Sequence, residues 1–301
     1  MRIIFMGTPE FAIPSLEALR VKNDIIAVVT APDKPAGRGH VMHLSEIKQY
    51  AVSQGFTVLQ PINLKSPKFY KKLKELKADL FVVVAFRMLP ESIWSMPKYG
   101  TINLHSSLLP KYRGAAPIQR AIMNGDEITG LTVFKLDKQI DTGAILATIE
   151  IKVGLDETGG QLHDRMKLMG AKLLAETIEN IENGTIVPKI QLEEFVSNAP
   201  KIFREDCQID WNQDIHNVYN LIRALIPYPC AWFINKNITY KIHAATMISE
   251  IHNYPAGKFI VQSNQLRVTC LNGYINITEI QAEGKRKMPI NTFLNGYKNF
   301  E

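Results

Sequence analysis

Cysteine and long apolar runs are both scarce in this sequence. Its three cysteines, Cys207, Cys230 and Cys270, lie far apart and form no C-x-x-C pair, which argues against a disulfide framework and a cysteine zinc site. The apolar run at residues 1–7 is too short for the hydrophobic region of a signal peptide. No stretch reaches the roughly 18 uncharged apolar residues that a membrane span needs. We therefore expect a cytoplasmic protein without membrane contact.

Several catalytic signatures are missing as well. The chain contains no G-x-S-x-G, H-E-x-x-H or Walker lysine motif, and its histidines do not cluster at metal-ligand spacing. The turn after the first apolar run, residues 7–11, is not G-x-G-x-x-G, which disfavours a nicotinamide cofactor. These absences argue against metal-assisted hydrolysis, and we predict no metal site.

Positive charge is in excess, with a formal charge of +6 at pH 7 over 301 residues. That balance favours association with a polyanion, but many basic enzymes bind no nucleic acid, so charge alone leaves the partner undecided. The length predicts two domains, since a domain spans about 100 to 200 residues.

The first half of the chain alternates short apolar runs with helical patterns, which predicts βαβ units and a doubly wound, mostly parallel sheet. The predicted strands are 2–6, 25–30 and 80–85, and the predicted helices are 11–19, 44–54 and 91–94. In such a fold, ligands bind beyond the carboxyl ends of the strands. The prolines and glycines of residues 31–40 predict a long, basic, exposed loop with neither helix nor sheet.

Periodicity fades from about residue 186 to 207, where Pro188 and Pro200 indicate a linker or an extended crossover. We therefore divide the chain into a catalytic domain at 1–185, a linker at 186–206 and a second domain at 207–301. In the second domain, one predicted helix at 215–225 precedes five β-rich runs with turns between them, which predicts a small OB-like β-barrel. Those runs are 231–234, 240–244, 257–261, 266–270 and 274–280.

The densest group of reactive side chains lies at residues 101–114. Asn103 and His105 are two residues apart, so on an extended strand they project from the same face. An amide can hydrogen-bond a developing oxyanion while an imidazole donates or shuttles a proton, which points to acyl-type transfer. The pair could instead satisfy buried backbone groups at the end of a strand, which is the commoner outcome for an isolated N-x-H.

A carboxylate in a similar setting follows the strand-like residues 131–136. Asp141 could orient the imidazole of His105 and favour its charged form. It could also be only an Asx-turn residue before Gly143, and neighbouring Asp137 is a rival for the same role.

This combination resembles the folate-dependent formyltransferases, whose pattern of Asn, His two residues later, Ser-Leu-Leu-Pro and a distant Asp is matched here. Within that superfamily the chain is most similar to the methionyl-tRNA formyltransferases, and the resemblance covers essentially the whole chain. The segments that carry it are 6–12, 32–39, 103–122, 209–211 and 222–232. Two positions depart from the family pattern: residues 43–48 replace a Pro-Ser-Pro-Val-Lys-like stretch, and Gln139 stands where glycine is common.

The resemblance implies transfer of a formyl group from 10-formyltetrahydrofolate to the amine of initiator methionyl-tRNA, giving N-formylmethionyl-tRNA for translation initiation. It implies Asn103, His105 and Asp141 as catalytic residues and a folate-binding turn, and it places the basic loop at the tRNA acceptor end. The second domain would help to hold tRNA, and we expect a monomer. The folate turn comprises Ser107, Leu108, Leu109 and Pro110; the candidate tRNA contacts are Lys34, Arg38, Lys285, Arg286 and Lys287. For the last three residues, an ordinary solvated turn is an equal alternative.

Two other functions stay open at this point. A nucleotide-sugar formyltransferase would share Asn103, His105 and Asp141 but would not need the basic loop or a tRNA-binding barrel. A non-catalytic tRNA-binding protein would not need the Asn, His and Asp set.

Overall fold

The structure is a computed structural model that describes residues 1–36 and 41–296. It separates into two compact units. The first comprises residues 1–114, 130–151 and 163–198, and the second comprises 115–129, 152–162 and the chain from 199 on. The units are therefore interleaved in sequence, and the boundaries at 185 and 207 stay a prediction. Among the described residues, no helix combines the length and apolar character that crossing a bilayer requires.

The first unit is built on a seven-stranded sheet of order β10-β9-β7-β6-β1-β2-β5. β1, β2, β5, β6 and β7 run parallel to one another, and β9 is antiparallel to β7. Up to the end of this unit the strands are β1 (Arg2–Gly7), β2 (Asp24–Val29), β3 (Lys34–Ala36), β4 (Val41–His43), β5 (Val58–Leu59), β6 (Leu80–Val84), β7 (Thr101–His105), β8 (Arg113–Gly114), β9 (Ile128–Lys135), β10 (Ile145–Lys152) and β11 (Asn198–Ala199).

Helices connect the parallel strands, as the alternation of patterns predicted. Among the described residues of both units, the helices are α1 (Ile13–Leu19), α2 (Glu46–Ser53), α3 (Pro67–Leu76), α4 (Glu91–Trp94), α5 (Pro117–Met123), α6 (Gly159–Glu182), α7 (Ile215–Ala224) and α8 (Ile290–Gly296). The central strands β1 and β6 are almost wholly buried, because helices cover both faces of a doubly wound sheet.

The strand order reverses beside β1, which pairs with β2 on one side and with β6 on the other. Such a reversal opens a crevice at the carboxyl ends of the strands, where α/β proteins bind ligands. Gly7 ends β1 here, and an added Cβ would lie 2.8 Å from Cβ of Ala12 and 3.1 Å from the carbonyl oxygen of Val84. Glycine therefore lets the chain turn directly into the segment that begins α1.

The prediction that residues 31–40 contain neither helix nor sheet is wrong for their middle. Lys34–Ala36 pairs antiparallel with Val41–His43, with Pro35 opposite Met42. Proline lacks an N–H donor, so it is excluded from central strands but tolerated in an edge ribbon. The remaining residues of that stretch, 37–40, lie outside the described part of the chain.

The second unit contains α5, α7, α8 and a six-stranded antiparallel sheet of order β12-β13-β16-β15-β14, with β17 beside β16. The sheet curls into a half-barrel, in agreement with the predicted OB-like character. Its strands are β12 (Trp232–Asn235), β13 (Ile238–Ile248), β14 (Phe259–Gln262), β15 (Gln265–Cys270), β16 (Gly273–Ala282) and β17 (Met288–Pro289). One apolar core joins its inner face to α7 and α8 through residues such as Ile222, Phe233, Ile277 and Phe293.

Candidate active site

His105 is the last residue of β7, at the carboxyl edge of the parallel sheet. Its ring is buried, with 7% of the residue exposed, and Phe134 contacts it edge-on at 6.4 Å between ring centroids. Nε2 lies 2.8 Å from the carbonyl oxygen of Tyr112. Because a carbonyl oxygen only accepts, Nε2 carries the hydrogen in this contact. Nδ1 is therefore the nitrogen left to face the rest of the site.

Tyr112 presents that carbonyl from an unusual backbone conformation, with φ of +62°. Its amide donates to the hydroxyl of Ser197 at 2.9 Å, and the following Arg113 amide donates to the Ser197 carbonyl at 2.9 Å. Both bonds fix the turn between β7 and α5, so the orientation of the imidazole is set by main-chain geometry.

Asp141 lies in the segment that joins β9 to β10, and its carboxylate approaches His105. Oδ2 is 3.7 Å from Nδ1 of His105 and accepts the amide hydrogen of Gly114 at 2.8 Å. A separation of 3.7 Å is too long for a hydrogen bond, so the two groups attract each other as an ion pair once the imidazole is protonated. The structure thus brings His105 and Asp141 together across 36 residues of sequence.

The rival carboxylate, Asp137, closes a turn instead. Its Oδ1 accepts the Gln139 amide at 3.0 Å and the Thr142 hydroxyl at 2.5 Å, which is the pattern of an Asx turn. At Gly143, an added Cβ would lie 1.7 Å from the carbonyl oxygen of Lys135. Only glycine fits there, so the turn that presents Asp141 depends on it.

Asn103 lies in the middle of β7, between Val83 of β6 and Phe134 of β9. The two-residue period places it on the same face of the sheet as His105. Its side chain is half-buried, and the side-chain amide makes no hydrogen bond with any described residue. The amide is therefore available to a bound group.

The predicted folate turn is held together from within. The Ser107 hydroxyl donates to the carbonyl of Lys111 at 2.6 Å, and the Ser107 carbonyl accepts from Thr132 at 2.7 Å. The Leu109 amide donates to the same Thr132 hydroxyl at 3.1 Å. Ser107 and Leu109 are buried, whereas Leu108 and Pro110 are half-buried, so the latter two can contact a ligand. The folate role of the turn stays a prediction.

The residues predicted to contact tRNA lie far apart in sequence. Lys34 is exposed, Arg38 lies outside the described residues, and Lys285, Arg286 and Lys287 form an exposed turn between β16 and β17. Lys287 pairs with Glu279 at 3.3 Å. Lys285 and Arg286 make no ion pair with any described residue, so their charge is free for a polyanion.

The start of the basic loop is anchored by the segment that departs from the family pattern. Lys48 of α2 donates to Asp33, the residue before Lys34, and Gln60 donates to Asp33 at 2.8 Å. The hydrogen bond from Lys48, followed by that from Gln60, lowers the pKa of Asp33. The carboxylate is therefore charged near neutral pH, and residues 43–48 supply the cation that holds it.

Two residues of the site were not singled out by sequence reasoning. Gln191 donates to the carbonyl oxygens of Asp141 and Gly143 at 2.9 and 2.8 Å and accepts from the buried guanidinium of Arg113. Arg113 could have been noticed beside the Asn-His segment only as a charged residue in an apolar context. Gln191 lies within the predicted linker, and no sequence pattern distinguishes it there.

A doubly wound sheet that presents an amide and an imidazole on one strand, with a carboxylate 3.7 Å from the imidazole, suits a group-transfer enzyme of the α/β class. Among the described residues, no group of histidine, cysteine or acidic side chains has the geometry of a metal site. Residues 1–178 match the family model described as formyl transferase, and residues 201–298 match the model for the formyl transferase C-terminal domain.

Two curated relatives match along nearly the whole chain. The methionyl-tRNA formyltransferase of Flavobacterium johnsoniae is 45% identical over 98% of this chain and 96% of its own length. That of Bacteroides thetaiotaomicron is 41% identical over 99% and 96%. The chain therefore belongs to the formyltransferase family, in its methionyl-tRNA formyltransferase branch.

Solved structures share the fold. An N-formyltransferase from Helicobacter canadensis, bound to folinic acid and dTDP-3-aminofucose, superposes with a TM-score of 0.68 at 21% identity over 95% of this chain and 99% of its own. A methionyl-tRNA formyltransferase from Clostridium thermocellum gives a TM-score of 0.57 at 19% identity over 82% and 94%. At these identities the likeness concerns the fold alone.

Proposed function

We propose that this chain transfers the formyl group of 10-formyltetrahydrofolate to the free amine of initiator methionyl-tRNA, giving N-formylmethionyl-tRNA. The observation that carries the proposal is the 45% and 41% sequence identity, along nearly the whole chain, to relatives whose names state this activity. The geometry at His105 and Asp141 supports it, because an imidazole beside a carboxylate at a strand end suits acyl transfer between two nitrogens.

The proposed reaction uses the side chains of Asn103, His105 and Asp141. The methionyl amine attacks the formyl carbon and forms the new C–N bond, which drives the carbonyl electrons onto oxygen. The amide of Asn103 and protonated His105 stabilise that oxyanion, and the carboxylate of Asp141 faces the imidazole at 3.7 Å. As the oxyanion collapses, the bond from carbon to N10 of the folate breaks. The proton lost by the amine is returned to N10, so the steps balance without a metal or a covalent enzyme intermediate.

The decisive experiment offers the purified protein two acceptors. With 10-formyltetrahydrofolate present, we expect rapid formylation of methionyl-tRNA and no measurable formylation of a dTDP-linked amino sugar. Exclusive reaction with the amino sugar would replace this proposal with the nucleotide-sugar one. Tight tRNA binding without turnover of either acceptor would instead favour the non-catalytic function.

The remaining roles belong to the same proposal. Ser107, Leu108, Leu109 and Pro110 form the folate turn. The tRNA is contacted by Lys34, Arg38, Lys285, Arg286 and Lys287. Residues 1–185 form the catalytic domain, and the domain at 207–301 helps to hold the tRNA. The protein acts as a cytoplasmic monomer alongside the translation machinery. Light scattering coupled to gel filtration tests the monomer directly.

A further inference from the structure

Gln191 is buried beside the segment that carries Asp141, with only 5% of the residue exposed. Its side-chain amide nitrogen donates to the carbonyl oxygen of Asp141 at 2.9 Å and to that of Gly143 at 2.8 Å. Both donors of one amide are thus used on the backbone that flanks the carboxylate. Such buried bonds hold their acceptors tightly, because losing them leaves polar groups without partners.

The acceptor oxygen of Gln191 is used just as fully. It receives hydrogen bonds from Nε and Nη2 of Arg113 at 3.1 and 2.8 Å, and Arg113 is itself 9% exposed. The next residue, Gly114, donates its amide to Oδ2 of Asp141 at 2.8 Å. Gln191 therefore holds the main chain of Asp141, while Gly114, the residue after Arg113, holds its carboxylate. The hydrogen bonds between Arg113 and Gln191 connect the two contacts.

Asp141 has a left-handed backbone conformation, with φ of +56°. A residue with a side chain keeps such a conformation only where its surroundings fix it. The two bonds from Gln191 fix the carbonyls on either side of this strained turn. Without them, the turn can relax and swing the carboxylate away from Nδ1 of His105.

We propose that Gln191 is a positioning residue for the reaction: it holds Asp141 in register with His105 and touches neither substrate. The assignment rests on the function proposed above. It predicts that the rate of the chemical step, rather than substrate affinity, depends on Gln191, since a displacement of about 1 Å in a catalytic group can cost about 100-fold in rate.

The variant Gln191→Glu separates the two halves of the contact. It keeps an oxygen that accepts from the guanidinium of Arg113. It also places a carboxylate oxygen, which cannot donate, against the carbonyl oxygens of Asp141 and Gly143. We expect kcat for methionyl-tRNA formylation to fall by roughly 10- to 100-fold, with KM for both substrates within about threefold of the wild-type values. Gln191→Leu, which removes both halves, tests the same point with a neutral side chain.

Glu193→Gln is the matched control. Glu193 is two residues away and binds the same guanidinium, at 3.0 Å from Nη2, but its side chain is 76% exposed and, among the described residues, makes no hydrogen bond with the Asp141 turn. We expect its kcat to stay within about twofold of the wild type, because an amide oxygen at this position still accepts from Arg113.

A double variant shows whether Gln191 acts through Asp141. In an Asp141→Asn background, Gln191→Glu should lower kcat by less than about threefold, because the group that it positions has already lost its charge. Full multiplication of the two losses would overturn the proposal. So would a folded Gln191→Glu enzyme with wild-type kcat, or a defect confined to KM. A wild-type enzyme inactive on methionyl-tRNA would refute the proposed function instead.

Discussion

Three non-glycine residues in loops that follow strands of the first unit have left-handed backbone conformations. They are Ala85 just after β6, Tyr112 after β7, and Asp141 after β9, with φ of +50°, +62° and +56°. Each such conformation costs on the order of 1 kcal/mol or more and persists only where neighbouring contacts enforce it. At Tyr112 and Asp141 the enforced turn aims a carbonyl or a carboxylate at His105. Local strain and proposed catalysis therefore coincide.

Replacing either of the two proposed oxyanion donors should slow turnover strongly without unfolding the chain. For His105→Ala and for Asn103→Ala, we expect kcat to fall by about 100-fold or more, the scale for losing a donor to the oxyanion. Single-turnover formylation of methionyl-tRNA measures the effect, and circular dichroism checks the fold. Near-normal rates in both variants would remove these residues from the mechanism.

Asp141 and Asp137 are neighbouring carboxylates, so their amide variants form a matched pair that tests the charge of Asp141. Asp141→Asn should lower kcat strongly, because it removes the charge that faces Nδ1 of His105 at 3.7 Å. Asp137→Asn keeps an oxygen that accepts from Gln139 and Thr142, so it should change kcat by less than about threefold. Comparable losses in both variants would mean that the turn, and not the charge of Asp141, determines the rate.

Much of the fold follows from the pattern of apolar runs. The buried central strands β1, β2 and β6 appear in the sequence as continuous apolar segments, and the predicted bounds differ from the observed ones by a residue or so. The half-exposed β10 and the long α6 were not identified, since β10 carries no continuous apolar run. The ribbon of β3 and β4 was missed because edge pairing tolerates residues that a central strand excludes.

The candidate site was predictable only in part, for a different reason. Asn103 and His105 share a strand, so local geometry predicts their common face, and the nearness of Asp141 could be offered as a hypothesis. The bond from Gln191 to Asp141 joins positions 50 residues apart. A contact of that kind is created by chain packing and has no local pattern.

Two hairpin turns of the six-stranded sheet have a backbone conformation that favours residues other than the ones present. Lys236 and Asn237 join β12 to β13, and Ser263 and Asn264 join β14 to β15, all with φ between 48° and 63°. This is the type I′ geometry, in which glycine is preferred at the second position. We expect Asn237→Gly and Asn264→Gly each to raise the free energy of unfolding by about 0.5 kcal/mol. Urea titration measures the change.

The turn between β15 and β16 serves as the comparison. Leu271 lies there without a positive φ, so Leu271→Gly gains nothing from the freedom of glycine and loses chain entropy on folding. It should be neutral or destabilising by about 0.5–1 kcal/mol. Equal stabilisation in all three turns would show that the gain is unrelated to φ.

Stability of the second unit should also fall at alkaline pH. The Tyr219 hydroxyl donates to Asp156 at 2.9 Å, and burial, followed by this contact, raises the pKa of Tyr219 to about 12. An unfolded tyrosine ionises near pH 10. Between pH 10 and 12 the folded chain therefore keeps a proton that the unfolded chain has lost. The contribution is complete below pH 10 and is lost as pH rises towards 12.

Tyr219→Phe isolates that contribution. Its free energy of unfolding should be lower than the wild-type value at pH 8, because Asp156 loses its donor, and should decline less steeply from pH 10 to 12. Urea titrations at pH 8, 10 and 11 give both slopes. Parallel curves for the two proteins would mean that other groups, such as Cys270, whose pKa burial raises to about 12, account for the alkaline loss.

At the scale of the whole molecule, the formal charge of +6 provides a general attraction for tRNA that salt screens. Specific phosphate contacts add a steeper dependence, because each one releases condensed counterions when it forms. Lys285 and Arg286 are exposed and carry free charge within the described residues, which suits such contacts. Lys71 and Lys72 are equally exposed on α3, yet the function proposed above assigns them no tRNA contact.

Two charge-reversal variants separate general from specific attraction. Lys285→Glu with Arg286→Glu, and Lys71→Glu with Lys72→Glu, lower the net charge by the same amount. We expect only the first to raise KM for methionyl-tRNA by about tenfold or more and to flatten the plot of log KM against log salt by roughly one unit for each phosphate interaction removed. KM for 10-formyltetrahydrofolate should be unchanged in both. Equal shifts in the two variants would mean that net charge alone attracts tRNA and that the turn between β16 and β17 is merely solvated.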